Sequence, residues 1–443
     1  MKPAKIWIVG GGLAGSEAAL QLAARGHTVR LYEMRPIQTT AAHRTDRLAE
    51  MVCSNSFKSE SEDTSSGVFK RELDLLGSRL LPLAREARVP GGAALALDRE
   101  QFAALVTEAV QAEPRIELVR EEITRIPEHR PCLIATGPLT SKALEAALAE
   151  RLGAAGLYFY DAIAPSVLSE SIDETRAYRA SRYDKGDADY WNCPMERDEY
   201  EAFVDALLAA ERVPMKDFEQ AAYFQGCMPI EAIAEGGRDS LRFGPMRPVG
   251  LVDPRNGRRP WAVVQLRQES RDGGLFGLVG CQTQMRYGEQ QRVFRMIPGL
   301  RDAEFARLGS LHRNSFIDSP RHLAPDLSLR ADAGLSFAGQ LIGGEGYVES
   351  LATGLFAALG IDARLRGRAF GPPPPETMLG GLLRYLLDES HKRLSPMNVN
   401  FGLLPPLERA PRGKTERKLA CGRRAVEFMT SWAAANACHR GGV

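Results

Sequence analysis

The sequence Lys5-Ile6-Trp7-Ile8-Val9-Gly10-Gly11-Gly12-Leu13-Ala14-Gly15 joins a β-forming run to a glycine-rich turn. An Ala- and Leu-rich segment follows without a helix breaker before Gly26, so the pattern predicts a strand, a tight turn and a helix. The glycine spacing is that of the dinucleotide-binding turn of Rossmann folds. In that turn the first glycine permits the bend, the second leaves room for a pyrophosphate, and the third lets the helix pack close to the strand.

An acidic residue follows the next predicted strand, 28–32. Glu33 stands 18 residues after Gly15, close to the roughly 20 expected for the carboxylate that binds a ribose hydroxyl. Such a carboxylate suits FAD or NAD and disfavours the 2′-phosphate of NADP. The sequence therefore predicts a nucleotide site formed by Gly10, Gly11, Gly12, Leu13, Ala14, Gly15 and Glu33.

A second glycine-rich turn lies near the end of the chain. The run 334–340 predicts a strand, and Ile342-Gly343-Gly344-Glu345-Gly346-Tyr347 leads from it into a helix that reaches Gly360. In a chain that opens with a Rossmann turn, such a unit closes a flavin site, with the helix N-terminus toward the flavin's pyrimidine edge. FAD, rather than NAD, is thus the expected tightly held cofactor. The expected contacts are Gly339, Gly343, Gly344 and Gly346, and Tyr347 is either a flavin neighbour or a packed aromatic residue.

Changes in the sequence pattern predict the organisation of the chain. Apolar residues recur at helical spacing over 68–83, which predicts one helix. From about residue 157 to 308 apolar residues alternate with arginines and glycines, which favours an inserted domain. The predicted class is α/β: a Rossmann-type FAD-binding domain of the two-dinucleotide-binding flavoprotein type, with an inserted α+β, sheet-rich domain. We expect domains at 1–156, 157–308 and 309–443, the last ending in a helical tail.

Composition excludes several classes of protein. The 443 residues suffice for two or three domains, and 44% hydrophobic with 26% charged residues is typical of a soluble globular protein. With no run near the roughly 18 apolar residues of a membrane span and no secretory signal, we expect a cytoplasmic protein without membrane contact. The seven cysteines are scattered, without a C-x-x-C pair, so neither a disulfide scaffold nor a metal site is expected.

The chain contains nine long motifs, most of which have no general structural reason to occur. They are GGGLAGSEAA at Gly10, MVCSNSF around Cys53, YFYDAIAP at Tyr158, SRYDKGDADYWNCPM at Ser181, FQGCMPIE around Cys227, FGPMRPVGL at Phe243, GEQQRVFRMIPGL at Gly288, LHRNSFI around His312 and AGQLIGGEGYVES at Ala338. Together they make the chain resemble, from about residue 5 to 430, the folate- and FAD-dependent tRNA (uracil-5-)-methyltransferases, the TrmFO family.

The resemblance implies methylation of C5 of uridine 54 in the T-loop of tRNA. The one-carbon unit comes from 5,10-methylenetetrahydrofolate, and FAD reduced by NADH or NADPH supplies the electrons. Uracil C5 is a poor nucleophile until a thiolate adds to C6, and a base must then remove the C5 proton. The family's motifs place the catalytic cysteines at Cys53 and Cys227, in roles left unordered, and His312 at the folate. Apart from the resemblance, each cysteine reads as a small buried residue and His312 as a surface histidine.

Recognition of tRNA requires a local basic patch, because the net charge is only +1. The densest group of cations is Arg412, Lys414, Arg417, Lys418, Arg423 and Arg424. These residues form a phosphate-binding face if they converge, and a solvated helix face otherwise. The oligomeric state stays open, with a monomer slightly favoured.

Four alternative functions differ from this one in their chemistry or in their class. The related FAD- and folate-using enzyme that modifies the wobble uridine carries a further C-terminal helical domain, for which this chain is too short. A pyridine-nucleotide disulfide oxidoreductase needs a C-x-x-x-x-C pair that is absent here. A non-catalytic flavoprotein that binds tRNA stays open, whereas an S-adenosylmethionine-dependent methylase is disfavoured because FAD accounts for both glycine turns.

Overall fold

The computed structural model describes residues 4–40, 42–153, 157–184, 187–213, 228–391 and 394–436, and of 157–161 and 311–313 it describes the backbone alone. The strands are β1 (Lys5–Val9), β2 (Thr28–Glu33), β3 (Ser56–Ser59), β4 (Arg88–Val89), β5 (Ala94–Leu97), β6 (Ile116–Arg120), β7 (Cys132–Ile134), β8 (Leu157–Ala162), β9 (Ser166–Leu168), β10 (Tyr178–Arg179), β11 (Tyr190–Met195), β12 (Ala262–Gln268), β13 (Leu275–Leu278), β14 (Phe305–Arg307), β15 (Leu311–Phe316), β16 (Ser328–Leu329) and β17 (Asp332–Phe337). The helices are α1 (Leu13–Ala24), α2 (Ser65–Leu75), α3 (Leu80–Glu86), α4 (Arg99–Ala112), α5 (Lys142–Leu152), α6 (Arg197–Ala209), α7 (Ile230–Glu235), α8 (Ser240–Phe243), α9 (Tyr287–Phe294), α10 (Ser319–His322), α11 (Tyr347–Leu365), α12 (Met378–Leu386) and α13 (Lys414–Ala435).

The first sheet has six strands in the order β16-β17-β7-β1-β2-β6. β1 pairs in parallel with β2 and β7, and β17, from late in the chain, pairs in parallel with β7. Helices cover such parallel strands, which is why Ile6, Ile8 and Leu133 are completely buried. α11 packs on α1 so closely that a Cβ on Gly354 would lie 2.2 Å from the carbonyl oxygen of Ala14. The first and last thirds of the chain thus form one Rossmann-type unit.

The second sheet has the order β10-β11-β12-β13-β9-β14, and the pairs recorded between its strands are antiparallel. Side chains alternate between the two faces of β12, as in any strand. Val264 and Leu266 pack with α6 and α9 in a hydrophobic core separate from that of the first sheet. Gln265 and Arg267 occupy the opposite, polar face.

Two neighbouring strands connect these units. β8 leads into the second sheet and β15 leads out of it, and the two pair antiparallel with Ala162 opposite Leu311. We keep 1–156, 157–308 and 309–443 as proposed domain boundaries.

The single helix predicted over 68–83 is wrong, because the chain turns between α2 and α3. Gly77 adopts a left-handed φ of +73°. The buried Glu17 carboxylate then accepts hydrogen bonds from the N–H groups of Arg79 and Leu80, at 2.9 and 2.8 Å, where α3 begins. A side chain from α1 therefore sets the start of a helix far along the chain.

The helix-covered parallel sheet and the separate antiparallel sheet confirm the predicted α/β class. The C-terminal helices pack against α2. Glu72, on α2, accepts hydrogen bonds from the N–H groups of Met378 and Leu379 at the start of α12, at 2.7 and 3.0 Å. α13 lies along α2 and buries Ala425 and Met429. In the described part of the chain, no helix has both the length and the apolar character required to cross a bilayer.

Candidate active site

The glycines of the first turn differ in what surrounds them. A Cβ on Gly10, whose φ is +106°, would lie 2.5 Å from the carbonyl oxygen of Ala135, and one on Gly15 would lie 1.8 Å from that of Gly10. A Cβ on Gly12 would meet no heavy atom within 4 Å. The open space therefore lies at Gly12, directly before α1, where a pyrophosphate would meet the free N–H groups of the helix.

Glu33 closes this turn from the end of β2. Its Oε2 accepts a hydrogen bond from the Gly11 N–H at 3.0 Å, and its Oε1 accepts one from Arg35 Nε at 2.9 Å. Arg35 is itself buried and also binds Glu50. Burial acts to raise the pKa of Glu33, but the ion pair with Arg35 and the backbone N–H bonds outweigh it and lower the pKa. The carboxylate is thus held ionised as a hydrogen-bond acceptor.

An open cavity adjoins this carboxylate. Gly10, Gly11, Gly12 and Glu33 form one side of it. The opposite side is formed by the segment 121–123 and by residues after β7. The open space at Gly12, the oriented Glu33 carboxylate and the adjoining cavity fit the ADP portion of FAD.

The second glycine turn packs directly on the first. Gly339, Gly343 and Gly346 adopt φ angles of +80°, +91° and +123°, which favour glycine. A Cβ on Gly339 would lie 3.1 Å from that of Ala14, so the start of α11 and the start of α1 belong to one site. Glu349, in the first turn of α11, is completely buried.

The second turn also leaves a polar atom without a partner. Glu349 Oε1 binds Lys58 Nζ at 3.1 Å and accepts the Val399 N–H at 3.1 Å. Its buried Oε2 has no hydrogen-bond partner among the described residues. A buried acceptor beside the left-handed Gly346 is what a donor group of a bound flavin would satisfy.

Cys53 meets the flavin turn through Tyr347. The Cys53 N–H donates to Tyr347 Oη at 2.8 Å, across nearly 300 residues of sequence. Both residues line an open cavity of about 1080 Å³, together with Lys58, Arg267 and Gly346. A partly exposed thiol thus lies beside the second glycine turn.

Three of the other cysteines have environments that suppress thiolate formation. Cys132, Cys193 and Cys281 are fully buried. Burial raises the pKa of both Cys132 and Cys193 to about 12, and it also raises that of Cys281. Cys421 is partly exposed on α13, away from the cavity of Cys53.

Two residues predicted from the family motifs lie wholly or partly outside the described part of the chain. Cys227 lies outside the described residues. His312 lies on β15 opposite Asp161, and its side chain is outside the described part as well. Asn314, on the same strand, lines the cavity of Cys53. Among the described residues, no three His, Cys, Asp or Glu side chains are grouped as metal ligands.

The basic residues near the C-terminus do not share one face. At about 100° per residue, Arg417 and Arg424 lie on one side of α13 and Arg423 is turned about 100° away. The Arg424 guanidinium donates to the carbonyl oxygens of Pro405 and Pro406, at 2.5 and 2.9 Å, so it holds a loop. Arg412, Lys414, Arg417 and Arg423 are exposed, and Lys418 is partly exposed.

Arg267 is a charged cavity residue that none of the nine sequence motifs contains. A lone arginine in an apolar strand carries no motif. The available signal is the alternation of Val264 and Leu266 with Gln265 and Arg267, which predicts a polar face on this strand.

Comparison with known families gives one match over most of the chain. The family model described as glucose inhibited division protein A (GidA) matches residues 5–369. A solved structure of GidA from Aquifex aeolicus, in its form I crystal, superposes with a TM-score of 0.69 at 16% identity and covers 97% of this chain and 76% of that one. At this identity the likeness concerns the fold.

Curated relatives are much more similar in sequence. A protein from Moorella thermoacetica named methylenetetrahydrofolate–tRNA-(uracil-5-)-methyltransferase TrmFO is 52% identical over 427 residues, 96% of this chain and 98% of the relative. A protein of the same name from Rhodospirillum rubrum is 54% identical over 442 residues, 96% of this chain and 92% of the relative.

Proposed function

Because the chain belongs to the TrmFO family of methylenetetrahydrofolate–tRNA-(uracil-5-)-methyltransferases, within the wider GidA family, we propose that it methylates C5 of uridine 54 in the T-loop of tRNA. The one-carbon donor is 5,10-methylenetetrahydrofolate, and NADH or NADPH is the source of the electrons. Since the substrate is tRNA, we place the enzyme in the cytoplasm.

The hydrogen bond between the Cys53 N–H and Tyr347 Oη carries this proposal. It brings a partly exposed thiol to the glycine turn that precedes α11. A uracil that enters the same cavity meets the thiol on one side and the flavin turn on the other. A methyltransferase of this type needs both groups within reach of one base.

Cys53 and Cys227 together provide two catalytic roles. One thiolate adds to C6 of uracil, so that C5 becomes nucleophilic, and a second group removes the C5 proton after the carbon–carbon bond has formed. We assign Cys53 and Cys227 to these tasks without ordering them. FAD, when bound, supplies the electrons that convert the transferred methylene into a methyl group.

The remaining residues bind and orient. Residues 10–15 and Glu33 hold the ADP portion of FAD, while Gly339, Gly343, Gly344, Gly346 and Tyr347 surround its ring system. His312 contacts the folate. Arg412, Lys414, Arg417, Lys418 and Arg423 bind tRNA phosphates; we omit Arg424 because two carbonyl groups occupy its guanidinium.

A methyl-transfer assay tests the proposal. Purified protein is incubated with FAD, NAD(P)H, unmodified tRNA and methylenetetrahydrofolate labelled in its one-carbon unit, and the nucleosides are mapped to their positions. We expect label in 5-methyluridine 54, and none with the Cys53→Ser variant. Cys421→Ser, a thiol outside the cavity, serves as the control. Label at the wobble uridine would instead support the related wobble-modifying activity, and unlabelled tRNA with bound, reducible flavin would contradict both.

A further inference from the structure

The polar face of β12 places an arginine side chain in the cavity lined by Cys53 and Tyr347, which is the reaction cavity of the proposed function. Arg267 lines the same cavity as Cys53 and Tyr347, although it belongs to the second sheet. Its Nε–H donates to Asn55 Oδ1 at 2.8 Å. The Asn55 amide nitrogen donates to the carbonyl oxygens of Leu97 and Gln268, at 3.0 and 2.8 Å, which orients the amide oxygen toward Arg267.

The guanidinium of Arg267 has no other partner in the described part of the chain. It makes no further hydrogen bond there, and no described carboxylate lies within ion-pair distance. The nearby Glu269 carboxylate is already bound by Arg99 at 2.5 Å and is 3.7 Å from Arg307. Lys58, the other cation of the cavity wall, is paired with Glu349. Arg267 therefore presents positive charge to the cavity without an ion-pair partner among the described residues.

Arg267 is half-buried at the cavity wall, so part of its guanidinium has lost contact with water. Burial lowers the pKa of Arg267. A guanidinium has five N–H donors, of which one is used here. The Asn55 side chain, itself held by two carbonyl groups, orients this group and leaves its other donors for an incoming anion.

We propose that Arg267, oriented by Asn55, donates hydrogen bonds to O4 of the target uracil as this oxygen gains negative charge. The inference rests on the proposed function. When a cysteine thiolate forms its bond to C6, the C5–C6 π electrons move into a C5–C4 double bond and the C4–O4 π electrons move onto O4. The guanidinium stabilises this enolate whether Cys53 or Cys227 attacks. Arg267 is then a catalytic residue.

Covalent trapping of the enzyme on a fluorinated substrate measures this step directly. With 5-fluorouridine at position 54 and methylenetetrahydrofolate present, the adduct that carries the thiolate at C6 and the one-carbon unit at C5 cannot lose fluorine as a cation and accumulates. A denaturing gel at saturating methylenetetrahydrofolate therefore reports the rate at which the enolate forms and is captured. We expect Arg267→Gln to form the adduct about 10²-fold more slowly, which is the usual effect of losing an oxyanion donor. Arg267→Lys keeps the positive charge but loses the planar guanidinium with its several N–H donors. We expect its adduct rate to lie between those of the wild type and Arg267→Gln.

The controls separate this role from a structural one. Arg292→Gln removes an exposed arginine of α9 that is paired with Glu289, and its adduct rate should equal that of the wild type. FAD content and tRNA affinity of both Arg267 variants should stay within about twofold of the wild type, because a group that acts on O4 of one base adds little to binding. If Arg267→Gln does not fold, the test rests on Arg267→Lys, whose adduct should form more slowly than that of the wild type.

Two results would overturn the inference. One is an unchanged adduct rate in a folded Arg267 variant. The other is a lower adduct rate that saturating methylenetetrahydrofolate restores to the wild-type value, which would assign Arg267 to the folate carboxylate. A wild-type enzyme that neither methylates nor traps position 54 would contradict the proposed function itself, and the inference with it.

Discussion

Single residues in this molecule connect distant parts of the chain. Tyr347 follows the second glycine turn, and its hydroxyl accepts the N–H of Cys53. Sequence alone leaves open whether Tyr347 is a flavin neighbour or a packed aromatic residue, because the partner lies nearly 300 residues away. The centroid of its ring is also 6.0 Å from that of Phe57. Tyr347 is therefore a packed aromatic residue that also lines the cavity.

Tyr347→Phe removes this hydroxyl and leaves the ring. The lost hydrogen bond is worth about 0.5–1.5 kcal/mol, and the loop that carries Cys53 should become less well positioned. We expect kcat for methyl transfer to fall about 3- to 10-fold, which corresponds to that energy, while FAD content and KM for tRNA change little. Unchanged kcat in the flavin-loaded variant would show that the contact does not position Cys53.

At the scale of the element, each glycine of the first turn has its own physical reason. The motif spacing is sufficient to predict the strand, turn and helix, because all three depend on residues close in sequence. The same local reasoning predicts one helix over 68–83. It misses the break at Gly77, since the capping carboxylate of Glu17 comes from α1. It misses Arg267 for a similar reason, because the partner Asn55 lies in another unit.

The first turn gives a matched pair of substitutions. Gly12 has an extended backbone with φ −74°, and its Cβ would enter open space. Gly12→Ala should therefore fold with nearly unchanged thermal stability and lose FAD, measured as flavin released on denaturation. Gly15→Ala places its Cβ 1.8 Å from a backbone oxygen, so it should lose at least about 1–3 kcal/mol of stability. Equal stability of the two apoproteins would contradict this distinction.

Glu72 makes the docking of α12 on α2 sensitive to pH. Burial raises its pKa to about 8, against the opposing effect of the N–H groups of Met378 and Leu379. Since the ordinary value is 4.5, the folded state binds more protons than the unfolded state between about pH 5 and 8. The contribution of Glu72 to the free energy of unfolding is therefore largest below about pH 5 and declines up to about pH 8.

Glu72→Gln keeps an acceptor at this helix start and removes the ionisation. We expect the melting temperature of the wild type to fall relative to that of Glu72→Gln as the pH rises from about 5 to about 8. Thermal unfolding followed by circular dichroism across this range provides the comparison. A constant difference between the two proteins would mean that Glu72 has the same pKa in the folded and unfolded states, so that its burial does not raise the pKa.

At the scale of the whole molecule, the reaction cavity lies between two units with separate cores. Cys53 and Tyr347 come from the Rossmann-type unit, and Arg267 comes from the second sheet. The motifs indicate both units, but no sequence pattern specifies which face of β12 meets the flavin turn. That relation depends on long-range contacts such as those of Asn55 with Arg267 and Gln268.

We expect the exposed arginine and lysine side chains near α13 to contribute to tRNA binding. They act as a positively charged surface, not as a sequence motif. Arg412→Gln with Arg417→Gln should weaken tRNA binding and reduce the slope of log K against log salt by about 0.9 for each phosphate that the protein no longer neutralises. Flavin content should not change. A filter-binding titration at several salt concentrations measures the slope, with Arg292→Gln as the matched control. An unchanged slope would place the tRNA on another face.

The pairing of β8 with β15 gives the molecule a modular construction. Because Ala162 and Leu311 are opposite each other, the whole segment between them begins and ends at one place on the Rossmann-type unit, as insertions tolerated by a host domain do. The two ends of the inserted segment thus lie side by side, so its length can vary without any change in the spacing of the Rossmann-type strands. Because this segment carries Arg267, it also contributes one wall of the cavity of Cys53 and a positive charge.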